Sequence, residues 1–247
     1  LMTASHTPMP LHLAHFRAGG EPRTPFVAAT PLRRRRTPNY HRSMNHPRRR
    51  LGIILFPGFE LLDVFGPAEM FGVLRDQCEV VLAAAAAAPV ASAQGPEAVA
   101  AFGFAACPHL DLVLVPGGIG TRKAVDDSSL LAWLRTRAAA AEVAMTVCTG
   151  TSLLARTGLL DGRRATTNKL SFEWVRSQGP RVEWVRQARW VEDGSFVTSS
   201  GVSAGMDMAL AVIERLWGAE IARLVEIGTE YDRHRDPEWD PFAALHP

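Results

Sequence analysis

Residues 143–156 read VAMTVCTGTSLLAR, an apolar run that ends at Cys148 and is followed by a second apolar segment. The run Val143–Val147 has the length and composition of a strand that is buried on both faces. Residues 150–156 are predicted to form the helix that leaves it. One of the three cysteines in the chain therefore stands where a buried strand turns into a helix.

The same alternation of strand and helix extends along most of the chain. Short apolar runs predict further strands, and apolar residues at spacings of three and four predict helices between them. Strands that alternate with helices indicate βαβ units, in which a parallel sheet lies between two helical layers. The other predicted strands are 51–56, 80–85 and 112–115, and the other predicted helices are 60–74, 127–140, 170–175, 204–216 and 219–227.

A turn dipeptide in the second half of the chain adds an antiparallel element. Asp193-Gly194 separates two short apolar runs, 188–191 and 196–199, which is typical of a β-hairpin. No internal repeat or linker interrupts the pattern. The sequence therefore predicts an α/β fold, a single-domain parallel-sheet sandwich with a small β-hairpin, over residues 51–247.

Residues 1–50 differ from the rest of the chain in charge. They contain ten arginines and a single acid, Glu21, so the remainder of the chain is negative although the net charge of the whole is +2. The segment is rich in proline and has no helical or strand period, which predicts a disordered N-terminal arm. Its arginine runs could contact nucleic acid or anionic lipid, but a solvated extension is the simpler interpretation, and we expect no nucleic-acid partner.

The composition argues against several classes of protein. Three cysteines without C-x-x-C spacing do not indicate a disulfide framework or a structural zinc site, so a reducing cytoplasm is the expected compartment. No apolar stretch reaches the roughly 18 residues of a membrane span. There is no G-x-G-x-x-G, no phosphate-binding loop and no cluster of metal ligands, so neither a cofactor nor a metal is expected.

Three of the predicted strands end near residues that could take part in catalysis or bind a ligand. In open parallel sheets, ligands bind beyond the carboxyl ends of the strands. The first strand leads to Asp63, and strand 112–115 leads to Gly117 and Gly118. Strand Val143–Val147 leads to Cys148 and Thr149. We predict that these residues line one crevice.

The position of Cys148 indicates a nucleophile. A thiol at a helix N-terminus feels the positive end of the helix dipole, which favours the thiolate. The N–H of Thr149 would lie beside the sulfur, and Gly117 and Gly118 would bring further N–H groups close enough to form an oxyanion hole. Asp63, facing a thiolate, would be held protonated and could donate a proton to a substrate.

The same residues have plainer interpretations. A lone cysteine in such a turn is more often a small buried residue, and Asp63 could simply complement the helix dipole. No histidine follows Cys148 at a distance typical of a catalytic triad. Spacing alone leaves the functional and the structural interpretations open.

Four stretches, taken in order, resemble a known superfamily. LFPGFELLDVFGPAEMF (55–71), LDLVLVPGGIGT (110–121), VCTGTSLLARTGLLDGRRATTN (147–168) and TSSGVSAGMDMAL (198–210) are similar to motifs of the ThiJ/PfpI superfamily. This resemblance implies a flavodoxin-like, class I glutamine-amidotransferase-like fold, a small-molecule substrate and a homodimer.

Within the superfamily, the chain looks most like the isonitrile hydratase branch, which adds water to R–N≡C to give an N-substituted formamide. The L-D-x-x-G-P stretch of that branch is matched by residues 62–67, and its C-T-G elbow by residues 148–150. By this resemblance Cys148 is the nucleophile, Asp63 is the acid and base, and Thr149 is a third residue of the catalytic site.

One position departs from that branch. Where the branch tends to read A-T-T-H-W, this chain has Asn168 and Lys169 after the threonines. Asn168 can donate and accept hydrogen bonds but cannot shuttle a proton near neutral pH, so specificity would differ if this position touches the substrate. Asn168 joins Gly117, Gly118 and Gly150 as a candidate oxyanion or substrate-binding residue.

Other functions are implied by other branches of the superfamily. A glyoxalase or deglycase would act on small reactive aldehydes, but such branches tend to use a glutamate and often a histidine. A non-enzymatic thiol redox sensor would use the same cysteine, because an activated thiol oxidises readily. A peptidase would place histidine where Thr149 stands. An AraC-type regulator would need roughly a hundred further residues for its helix-turn-helix domain.

Overall fold

The computed structural model describes residues 48–246, so most of the predicted N-terminal arm lies outside the described residues. The strands are β1 Arg49–Ile54, β2 Cys78–Ala84, β3 Pro89–Ala91, β4 Glu97–Val99, β5 Phe102–Gly103, β6 Leu112–Val115, β7 Val143–Val147, β8 Arg164–Ala165, β9 Glu183–Trp184, β10 Trp190–Asp193 and β11 Phe196–Ser199. The helices are α1 Leu61–Gly72, α2 Thr121–Ala124, α3 Ser128–Ala140, α4 Thr151–Arg156, α5 Phe172–Gln178, α6 Ala204–Trp217 and α7 Ala219–Thr229. Short 3-10 turns span Phe104–Ala106, Cys148–Gly150 and Pro241–Leu245.

One seven-stranded sheet forms the centre of the fold, in the order β10-β11-β7-β6-β1-β2-β5. Its strands pair in parallel except at the edge, where β10 runs antiparallel to β11. Helices α1, α6 and α7 pack together as one layer, and α3, α4 and α5 form the other. The predicted α/β fold is confirmed. The hairpin does not stand apart, because β11 extends the main sheet by pairing with β7.

The central strands lie where the sequence predicts them, because burial on both faces requires an uninterrupted apolar run. Every residue of β6 and β7 is buried. Helix α3 begins one position after Asp127, whose Oδ1 accepts hydrogen bonds from the N–H groups of Ser129 and Leu130, both at 3.0 Å. This carboxylate caps the helix N-terminus.

Helix α1 is oriented differently from what its apolar residues indicate. Leu62 and Phe65 are 40% and 45% exposed, while Asp63 is completely buried. The helix therefore turns a carboxyl group toward the centre of the protein and two large apolar side chains toward its surface.

No helix among residues 48–246 is long and apolar enough to cross a membrane.

A buried ion pair fixes the region between β10 and α6. Asp207, in the first turn of α6, accepts hydrogen bonds from Arg189 Nε at 2.7 Å and from Tyr231 Oη at 3.0 Å. The N–H of His234 donates to the same carboxylate at 2.9 Å. Because the Arg189 carbonyl also accepts from the N–H of Ser200 at 2.8 Å, this pair positions the turn that follows β11.

We expect Arg189→Met to lower the free energy of unfolding by about 3–5 kcal/mol, because it leaves the Asp207 carboxylate buried without its charged partner. Urea denaturation measures this change. The matched control is Arg181→Met, which breaks an ion pair with Asp161 at the surface and should cost less than about 1 kcal/mol. Equal losses in the two variants would contradict a structural role for the buried pair.

Candidate active site

Four turns meet at the carboxyl edge of the sheet. They follow β1, β6, β7 and β11, and the first continues into α1. Hydrogen bonds join Gly117 to Asp63 and Gly118 to Thr149, so the structure brings together the residues predicted to line one crevice. The thiol of Cys148 lies beside the Asp63 carboxyl, and each influences the pKa of the other.

Cys148 occupies a sharp turn between β7 and α4. Its φ is +57°, a left-handed conformation that costs a non-glycine residue roughly 1–2 kcal/mol. Two hydrogen bonds hold it there. Its N–H donates to the carbonyl of Ser200 at 3.0 Å, and its carbonyl accepts from Thr167 Oγ1 at 2.7 Å. The surrounding structure therefore forces the thiol to project from the turn.

Two glycines allow the turns after β6 and β7 to touch. A Cβ atom at Gly117 would lie 2.6 Å from the Thr149 nitrogen and 2.8 Å from Cys148 Cβ. A Cβ atom at Gly150 would lie 2.3 Å from the carbonyl oxygen of Val115. Both positions therefore exclude side chains for steric reasons.

The N–H groups of Gly117 and Gly118 already have partners. Gly117 N–H donates to Asp63 Oδ2 at 2.8 Å, and Gly118 N–H donates to Thr149 Oγ1 at 3.0 Å. Thr121 Oγ1 donates to the same threonine oxygen at 3.1 Å. The expected oxyanion hole does not match this geometry, because neither glycine N–H is free for a substrate oxygen. These groups hold Asp63 and Thr149 in place instead.

Two other N–H groups do face the sulfur. Those of Thr149 and Val202 donate hydrogen bonds to Cys148 Sγ and act to lower its pKa. The Thr149 contribution agrees with the sequence analysis, whereas Val202 was missed. Val202 has a φ of +40°, which a β-branched residue seldom adopts. The one available signal was the quoted stretch TSSGVSAGMDMAL, which contains it.

Burial controls the protonation of Asp63. It raises the pKa of this carboxyl to about 8, and the charge of Glu60 acts in the same direction, against the hydrogen bond from Gly117. The second oxygen, Oδ1, is buried and has no hydrogen-bond partner among the described residues. Because burial favours the neutral form, the group is predominantly a carboxylic acid at neutral pH.

The thiol is also protonated at rest. Burial, followed by the nearby Asp63 carboxyl, raises the pKa of Cys148 above the ordinary cysteine value. The sequence had indicated a thiolate stabilised by the helix N-terminus. That expectation was wrong because Cys148 is the first residue of a 3-10 turn and not of α4, which is short, and because removal from water outweighs the two N–H donors.

Asn168 lies on a small cavity at the same edge. The cavity has a volume of about 240 Å³, and its lining includes Val202, whose N–H reaches the sulfur. Asn168 Oδ1 accepts a hydrogen bond from the N–H of Ser171 at 3.0 Å, and this contact precedes α5. Its amide nitrogen lies against Gly201, where a Cβ atom would approach it to 2.5 Å.

Lys169 is a buried cation that the sequence analysis did not single out. Its Nζ donates to the carbonyl of Ala188 at 2.6 Å and to Thr166 Oγ1 at 2.9 Å, and it lies 3.8 Å from Asp240 Oδ2. Burial lowers the pKa of this ammonium to about 8, while the charge of Asp240 opposes the shift.

Within residues 48–246, no group of three or more His, Cys, Asp and Glu side chains is arranged to hold a metal ion.

Known proteins resemble this chain in sequence and in structure. A profile of the DJ-1/PfpI family matches residues 49–215. The isonitrile hydratase of Pseudomonas putida is 35% identical over 181 residues, which cover 73% of this chain and 78% of that protein. The HTH-type transcriptional regulator GbdR of Pseudomonas aeruginosa is 32% identical over 131 residues, which cover 53% of this chain but only 35% of the regulator. The crystal structure of a ThiJ/PfpI family protein from Pseudomonas syringae has a TM-score of 0.73 at 29% identity, and the match covers 82% of this chain and 83% of the other.

The buried carboxyl group makes stability depend on pH. Because the pKa of Asp63 is raised from 3.8 to about 8 on folding, the folded state holds this proton more tightly than the unfolded state does. Stability should therefore fall between about pH 4 and pH 8, on the order of a few kcal/mol in total. Asp63→Asn should flatten this part of the profile, measured by urea denaturation at each pH. Superimposable profiles for the two proteins would contradict the assignment.

The hydroxyl of Thr149 should contribute to stability through Gly118. Thr149→Val leaves the Gly118 N–H without its acceptor, and we expect it to lower the free energy of unfolding by about 1–2 kcal/mol. Thr149→Ser keeps the oxygen and should lose less. Thr136→Val is the control, because it removes an exposed hydroxyl that bonds only within its own helix. Thermal unfolding of the three variants separates these outcomes.

Proposed function

We propose that this chain, which belongs to the DJ-1/PfpI family, is a cysteine-dependent hydro-lyase that adds water to an isonitrile and releases an N-substituted formamide. The observation that carries the proposal is the carboxyl group of Asp63, which is buried beside the thiol of Cys148. The similarity to an isonitrile hydratase over most of both chains supports the same reaction.

The first half of the reaction suits a site that holds two protons. The terminal carbon of an isonitrile carries a lone pair, and Asp63 donates its proton to that carbon. Cys148 Sγ then bonds to the same carbon, while the thiol proton passes to the Asp63 carboxylate. The product is a thioimidate, R–N=CH–S, and Asp63 is again an acid. No histidine is needed.

The second half consumes water. The hydroxyl group of water bonds to the thioimidate carbon, and Asp63 transfers a proton to the nitrogen as it accepts one from the water. The C–S bond then breaks, the hydroxyl hydrogen returns to the sulfur, and R–NH–CHO leaves. The N–H groups of Thr149 and Val202 stabilise the negative charge that develops on the sulfur as this bond breaks.

The two alternatives fit the geometry less well. Addition of a thiol to an aldehyde places negative charge on oxygen, but the N–H groups of Gly117 and Gly118 are already engaged. Isonitrile addition forms no such oxyanion in its first step. A redox sensor needs thiolate character, and burial raises the pKa of Cys148 instead.

We further propose that the activity resides in the domain spanning residues 51–247, without a cofactor, and that the protein works as a homodimer in a reducing cytoplasm. Family membership supports the dimer.

We expect the purified protein to convert a simple alkyl isonitrile to its formamide, followed by NMR or chromatography. Cys148→Ala and Asp63→Asn should each reduce kcat/KM by about a thousandfold or more, because each removes a group that bonds to or protonates the substrate carbon. Cys107→Ala serves as the matched cysteine control. In the intact protein, kcat/KM should decline as the pH rises through about 8, where Asp63 loses its proton.

Two results would count against this function. Formamide production that survives in Cys148→Ala would exclude the thioimidate. If the intact protein forms no formamide but Cys148 still reacts with iodoacetamide, the isonitrile is rejected as the substrate while Cys148 remains the candidate nucleophile. Small reactive aldehydes would then be tested as substrates.

A further inference from the structure

The C-terminal segment folds back onto the edge of the sheet that carries the site. Asp240 caps the 3-10 turn Pro241–Leu245, and its Oδ1 accepts a hydrogen bond from the N–H of Phe242 at 3.0 Å. Two further contacts attach the segment to the loop before β10. Arg186 Nη1 donates to the carbonyl of His246 at 2.7 Å, and Gln187 Nε2 donates to the carbonyl of Asp240 at 3.3 Å.

A buried ion pair completes this attachment. The side chains of Lys169 and Asp240 are only 2% and 1% exposed, and Nζ lies 3.8 Å from Oδ2. Among the described residues, Oδ2 has no hydrogen-bond donor. The other charges that act on the ammonium are those of Arg186 and Arg189. A buried ion pair seldom stabilises a fold more than apolar residues of the same size would, but it fixes the relative position of two segments.

Lys169 of this pair lines a cavity whose lining also includes Ser200 and Val202, two residues whose backbone groups bond to Cys148. The neighbours of Lys169 in sequence, Asn168 and Leu170, line the cavity from one side. Phe242 and His246 line it from the C-terminal segment. A volume of about 240 Å³ is below the roughly 300–1,000 Å³ of sites that take drug-sized ligands. The C-terminal segment therefore limits the cavity on the side where Phe242 and His246 line it.

We propose that Phe242 determines specificity by limiting the size of the group on the isonitrile nitrogen, and that Lys169 is a positioning residue that holds Phe242 there through Asp240. The substrate class is therefore small N-alkyl isonitriles rather than bulky or polycyclic ones. The identity of the substrate rests on the proposed function, whereas the role of the C-terminal segment as a cavity wall does not.

Alkylation of Cys148 tests the wall without any isonitrile. The rates for iodoacetamide and for a bulky aryl maleimide are measured by mass spectrometry of the peptide that contains Cys148. Phe242→Ala should raise the ratio of the maleimide rate to the iodoacetamide rate by about tenfold or more. Leu245→Ala is the matched control, because Leu245 belongs to the same 3-10 turn and is exposed but does not line the cavity.

A double-mutant cycle tests the ion pair. Asp240→Asn keeps an oxygen to cap Phe242 but removes the charge, and Lys169→Met removes the other charge. Each should raise the rate ratio as Phe242→Ala does. The double variant, which has no lone buried charge, should recover much of the lost Tm but keep the raised ratio. A wild-type ratio in all three variants, whatever their Tm, would overturn the positioning role.

The corresponding isonitrile experiment separates this inference from the proposed function. Phe242→Ala should raise the ratio of kcat/KM for cyclohexyl isonitrile to kcat/KM for methyl isonitrile by about tenfold. Formamide production with wild-type size preference in Phe242→Ala would reject the inference and keep the function. Altered alkylation ratios in a protein that forms no formamide would reject the proposed function. They would still support the role of Phe242 in limiting access to Cys148.

Discussion

The turn after β6 and the turn after β7 meet at distances that leave no room for a Cβ atom at Gly117 or Gly150. This contact places the Gly117 N–H on the Asp63 carboxyl group and the Gly118 N–H on Thr149. It also sets how closely Asp63 can approach the thiol on the neighbouring turn. A side chain at either glycine would separate the two turns, and with them the acid and the nucleophile. The chemistry of the site thus depends on close contact between backbone atoms.

Elements that carry their own pattern could be predicted from the sequence. Strands β6 and β7 lie between two helical layers, and because both of their faces are buried they appear in the sequence as continuous apolar runs. The turn dipeptide Asp193-Gly194 predicts the hairpin of β10 and β11. The two-stranded pairs β3–β4 and β8–β9 were missed, because strands of two or three residues are held by backbone hydrogen bonds and show no period. The Arg189–Asp207 pair was missed for a different reason. Its partners are distant in sequence, and only the folded chain brings them together.

The candidate site also has features that could be predicted from the sequence and features that could not. Ligands bind beyond the carboxyl ends of parallel strands, and this rule alone predicts that Asp63 and Cys148 lie at one crevice. The protonation of Cys148 could not be predicted, because it depends on how completely the sulfur is removed from water. The free or engaged state of the Gly117 and Gly118 N–H groups depends on distances of a few tenths of an ångström. A sequence encodes such distances only through the whole fold.

The cavity wall formed by Phe242 and His246 makes the two ends of the domain unequal as points of attachment. Any chain that continues beyond His246 starts at a residue that lines the cavity, so an affinity tag or a fused partner placed there would lie against the cavity wall. The other end is different. Strand β1 begins at Arg49, and the amino ends of its parallel neighbours lie at the opposite edge of the sheet from the thiol. Fusions for immobilisation or labelling therefore belong on the amino-terminal side of β1, because β1 begins at the edge of the sheet opposite the thiol.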